Sequence, residues 1–146
     1  MDIVSLRKEW SSENYLNTNN VEEELSRTYA LHGKYLTLLS EEVIKYKALL
    51  REKEKIKNDY RDFYLGRIDK EEFEAKGYDV SGYLPKTKLE SDEISEFKPK
   101  VRKITEYMDT CQAKIEFLGE VVKNINYRNQ SLKTAVENKK FEAGGF

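Results

Sequence analysis

The sequence predicts an all-α fold of long helices with heptad-like seams. Three observations carry that reading. Charged residues make up 36% of the 146-residue chain and hydrophobic residues 38%, which suits helices with one buried stripe and wide solvated faces. Its two prolines, Pro85 and Pro99, lie in the second half, so none interrupts a helix between residues 20 and 64. Apolar residues recur alternately four and three apart through two long stretches.

Residues 2–16 read as a short amphipathic helix, with Ile3, Leu6 and Trp10 at helical spacing and Leu16 near the far end. The run Asn17 to Asn20 breaks it. Asn20 then caps a second helix whose first turn holds three glutamates, where the helix dipole favours them. Leu25, Tyr29, His32, Leu36, Leu39, Val43, Tyr46 and Leu50 form its seam, sustained for about four heptads. The next seam positions are Lys53, Lys57, Tyr60 and Tyr64, and the helix is expected to reach Tyr64 before Gly66 turns the chain. A helix of that length, roughly 65 Å, calls for a packing partner.

Residues 68–96 are acidic, contain glycine and proline and keep no period. They read as a linker or arm with one helical turn at Lys70 to Lys76. The last third returns to heptads from Phe97, with Pro99 in the first helical turn. Val101, Ile104, Met108, Cys111, Ile115, Leu118, Val122 and Ile125 make a lysine-free seam. Phe117 and Val121 widen its apolar face, Asn129 interrupts it, and Leu132 and Val136 resume it. This second seam is the expected oligomerisation element, carried by Val101, Ile104, Met108, Ile115, Leu118, Val122 and Ile125. Three regions follow: an N-terminal helical region 1–67, an acidic arm 68–96, and a C-terminal oligomerisation helix and tail 97–146.

One cysteine excludes an internal disulfide and fits a reducing compartment. No signal-peptide run or membrane span is expected. His32 and Cys111 are seam residues, and a single histidine with a single cysteine does not make a closed zinc site. Glycine-rich phosphate loops and nucleophile elbows are absent from the sequence. The chain is therefore expected to be no enzyme and to need no cofactor.

Net charge is −1, but it alternates in blocks. Residues 45–67 hold 8 basic and 4 acidic groups, while residues 68–96 hold 4 and 9. Lys53, Lys57 and Arg61 are four apart and share a helix face adjoining Tyr60, Phe63 and Tyr64. Cations follow a phosphate backbone and aromatic rings stack on bases whatever the sequence. Spacing alone leaves two readings open, a single-strand-binding face or a solvated one.

The run DFYLGR (Asp62 to Arg67), the pair Glu72–Phe73, and the ending FEAG (Phe141 to Gly144) resemble the UvsY family, recombination mediators of T-even-type phages. The likeness runs from about residue 45 to the end. It implies a non-catalytic, ring-like homo-oligomer. Such a protein binds single-stranded DNA, the phage strand-exchange recombinase and the single-strand-binding protein, and helps the recombinase replace that coat. It implies residence in the host-cell cytoplasm. The nucleic-acid contacts are then expected at Lys53, Lys57, Tyr60, Arg61, Tyr64 and Arg67. One departure stands out: aligned without gaps, the family's basic DNA-contacting side chains fall on Asn58 and Tyr60, with Lys57 and Arg61 beside them. The rival expectation is a non-catalytic coiled-coil scaffold or assembly protein.

Overall fold

A computed structural model describes residues 1–78 and 87–144; Pro85 and the rest of 79–86 lie outside the described residues. Among the described residues five helices follow in order: α1 (Ile3–Glu13), α2 (Val21–Tyr64), α3 (Lys70–Ala75), α4 (Lys88–Ser95) and α5 (Pro99–Glu142). No strand occurs among the described residues, and none of their helices is long and apolar enough to cross a membrane.

The cap expected at Asn20 forms. The backbone amide of Glu23 donates to Asn20 Oδ1 at 3.1 Å, and Asn20 Nδ2 donates back to the Glu23 carboxylate at 3.2 Å. The first of these bonds satisfies one of the amides that a helix start leaves open. Asp69 and Thr87 accept from Glu72 and Glu90 in the same way and start α3 and α4. Gly66 has φ +75°, a left-handed turn that stops α2 without a Cβ penalty.

The chain forms two compact units, Met1–Ile44 with Cys111–Phe146, and Lys45–Thr110. The boundaries expected at 67 and 97 both fall inside the second unit. In the first unit, α1 and the start of α2 pack on the C-terminal part of α5 around Leu6, Leu31, Tyr35, Leu118, Val121 and Ile125. Trp10 meets Tyr35 edge to face at 5.3 Å. The helices run antiparallel: Tyr29 lies under Lys133 and Glu42 pairs with Lys114. In the second unit, the end of α2 packs on the start of α5 around Ile56, Tyr60, Phe73, Val101, Ile104 and Met108.

Within each unit, α2 finds a packing partner in α5 of the same chain. Val101, Ile104, Met108, Leu118 and Ile125 are buried by their own units, while Ile115 and Val122 are half-buried. The buried line of α2 is also displaced by one residue. It runs Glu24, Thr28, Leu31, Tyr35, where Leu25, Tyr29, His32 and Leu36 were expected. Tyr29 and Leu36 are 48% and 42% exposed. The cause is polar: Glu24 is buried because Arg27 pairs with it, and the Thr28 hydroxyl donates to the Glu24 carbonyl at 2.7 Å. Hydrophobic spacing does not register such positions.

Candidate nucleic-acid interface

The second unit gathers the cationic and aromatic residues. Helical spacing puts Lys53, Lys57 and Arg61 on one ridge of α2, and α4 brings carboxylates to that ridge. Lys53 Nζ lies 3.2 Å from Glu96, Lys57 Nζ donates to Glu96 at 2.8 Å, and Arg61 Nη2 donates to Asp92 at 2.7 Å. Lys57, then Lys53, hold the Glu96 carboxyl below its ordinary range against the opposing effect of burial. Arg61 Nη1 donates to Asn58 at 3.0 Å, and its buried Nε finds no acceptor among the described residues. Each cation of the expected ridge therefore already faces an anion.

Helix α4 was expected to be part of a linker. Its packed face is Ser91 and Ser95, both fully buried, with the Ser95 hydroxyl donating to the Asp92 carbonyl at 2.9 Å. Two small polar residues give no apolar period, so nothing in the pattern marks this helix.

The expected stacking rings have different fates. Tyr60 is 2% exposed, with Phe73 and Tyr78 each at 5.1 Å and Tyr64 at 5.9 Å. A base cannot reach it in this arrangement. Phe73, on α3, is fully buried between Phe63, stacked at 4.3 Å, and Tyr78 at 4.8 Å. The motif rings Phe63 and Tyr64 and the residue Phe73 thus build a small aromatic core that holds α3 against α2. Tyr64 is half-buried at its edge. Arg67 is 65% exposed and pairs with Asp62 at 3.2 Å.

A second cationic surface lies between α2 and α5 of this unit. It is a hollow of about 520 Å³ floored by Leu49, Ile56 and Ile104 and rimmed by Lys55, Lys100, Lys103, Glu52, Tyr78 and Tyr107. The Lys100 ammonium sits 4.7 Å over the Tyr78 ring, and the Tyr78 hydroxyl donates to Asp59 at 2.7 Å. Burial first, then Asp59, pushes the Tyr78 phenol above its ordinary value. Tyr107 is 52% exposed. The signal for this face was Lys100, Lys103 and Tyr107 at one-turn spacings, which the seam reading of the same helix overshadowed. Among the described residues no three His, Cys, Asp or Glu side chains converge as a metal site would require.

Long helices, clustered lysines and arginines and interleaved rings have the make-up of a helical polyanion-binding protein. The chain matches the family model described as "Recombination, repair and ssDNA binding protein UvsY" over residues 9–145, and it belongs to that family. Its fold is that of the bacteriophage T4 recombination mediator protein UvsY. One crystal form of that protein superposes with a TM-score of 0.73 at 19% identity, covering 98% of each chain. Two further crystal forms give 0.68 at 15% identity, over 97% of this chain and 99% of that one, and 0.69 at 18%, over 94% and 98%. Comparison with curated protein sequences finds no match.

Proposed function

We propose that this protein is a recombination mediator. It binds single-stranded DNA and promotes loading of a strand-exchange recombinase onto strand coated by single-strand-binding protein, by binding rather than by catalysis. The observation that carries this reading is the family match across residues 9–145. The concentration of cations in residues 45–67 supports it, because binding to a strand rests on releasing counterions from phosphates.

Homo-oligomerisation belongs to the same proposal. Several weak patches held together raise the effective concentration of each for one strand. Most of the expected seam residues from Val101 to Ile125 pack within the chain, while Ile115 and Val122 of that seam stay half-buried and can also meet a second copy. Tyr29 and Leu36, left exposed at heptad spacing on α2, are apolar residues available for that contact. At the ridge, Lys53, Lys57 and Arg61 are already engaged by Glu96 and Asp92, and a phosphate would have to displace those carboxylates to reach them. Arg67 needs to leave only Asp62, and Tyr60 and Tyr64 serve by holding the unit together.

The test is fluorescence anisotropy of a labelled oligo-thymidine strand titrated at low and at moderate salt. Binding that weakens as salt rises is expected. No binding at low salt by a protein shown to be oligomeric would remove the mediator reading and favour a scaffold.

A further inference from the structure

We infer that the single strand lies in the hollow between α2 and α5 of the second unit. There its phosphates meet Lys55, Lys100 and Lys103 and its bases stack on Tyr107. This rests on the proposed function and moves the contact surface off the motif ridge. The two faces differ in what they leave available. Lys53, Lys57 and Arg61 each have a carboxylate within 3.2 Å. Lys55, Lys100 and Lys103 have no carboxylate within 4.0 Å among the described residues. A phosphate entering the hollow displaces no anion, whereas at the ridge it competes with Glu96 and Asp92.

The rings divide in the same way. Tyr60 is 2% exposed and Tyr107 52%. Lys100 and Lys103 lie one turn apart on α5, with Tyr107 a further turn along the same face, so cations and ring fall in sequence along one wall. Lys55 faces them from α2. Among the described residues Glu52 is the one carboxylate lining the hollow, against three lysines. Cations on a rim with an accessible aromatic ring beside them form the sequence-tolerant arrangement that single strands bind.

The experiment compares four variants with wild type on the same labelled oligo-thymidine across a salt series. Each is checked for helicity by circular dichroism and for oligomeric state by sedimentation. Lys100→Gln with Lys103→Gln is expected to lower affinity about tenfold or more. It should also reduce the slope of log K against log salt by about 1.4, two single-strand phosphate contacts. Lys53→Gln with Lys57→Gln is expected to leave that slope unchanged. Tyr107→Ala is expected to weaken binding about tenfold, with Tyr107→Phe restoring it. If the hollow variants bind like wild type while the ridge variant loses affinity, the strand lies on the ridge and the inference is wrong. Loss of binding accompanied by dissociation of the oligomer assigns the hollow to contact between copies and also overturns it. Failure of wild type itself to bind would instead remove the proposed function.

Discussion

Replacing Phe73 by Ala tests the aromatic core directly. The side chain is fully buried and meets three rings, Phe63 at 4.3 Å, Tyr78 at 4.8 Å and Tyr60 at 5.1 Å. Burying about 150 Å² of aromatic surface is worth ~4 kcal/mol at 25 cal/mol per Å². The neighbours come from α2 and from beyond α3, so they cannot all move in to fill the space, and a cavity adds to the loss. Phe73→Ala is therefore expected to cost about 3–5 kcal/mol. Phe97→Ala, at a site 76% exposed, should fall within about 0.5 kcal/mol of wild type. Urea unfolding followed by circular dichroism gives both values. Hydrogen exchange should then show amides of residues 45–110 losing protection in the Phe73 variant. A loss below about 1 kcal/mol, or equal losses at the two sites, would refute the assignment of Phe73 as the pin that holds α3 to α2.

Glu42 and Lys114 form a pair at 2.9 Å with side chains 16% and 6% exposed, and Lys114 also donates to the Met1 carbonyl at 3.3 Å. Glu42→Ala strands that ammonium and should destabilise by about 3–5 kcal/mol, while Glu42→Leu with Lys114→Met should be near neutral; chemical denaturation of both separates the cases. The folded Glu96 carboxyl titrates below its ordinary range, so its stabilising contribution is present above about pH 4.3 and is lost as pH falls below it. Glu96→Gln should flatten that acid limb of a stability–pH curve, and an unchanged limb would show that its pairs with Lys53 and Lys57 add nothing. Burial pushes the phenols of Tyr35 and Tyr78 upward, so the fold favours their neutral forms and stability falls as pH rises above about 10. In an ultraviolet titration, Tyr35 and Tyr78 should resist ionisation until helicity is lost.

The motif reading and the packing reading meet at the same residues with different meanings. Asp62 to Arg67 marks the family, yet its rings Phe63 and Tyr64 face Phe73 and Tyr60 rather than solvent. A short run of residues can be diagnostic because it builds a core. The acidic charge of residues 68–96 was plain, but its destination was not. Glu96 and Asp92 reach Lys57 and Arg61 across 39 and 31 positions of chain.

What the sequence determined by itself is local in origin. The all-α class, the starts of α2 and α5 at Asn20 and Pro99, the end of α2 before Gly66 and the short helix near residue 70 all follow from spacing, capping and φ preference within a few residues. The tertiary structure decided which face of α2 is buried, that α5 of the same chain covers it, and that α4 exists. It also decided which cations keep free faces. Those outcomes turn on polar groups such as Glu24, Thr28, Ser91 and Ser95, which the assembled fold encloses although Glu24, Thr28 and Ser95 find their partners within four residues along the chain. A buried polar position adds nothing to an apolar period, so the fold and not the spacing decides it.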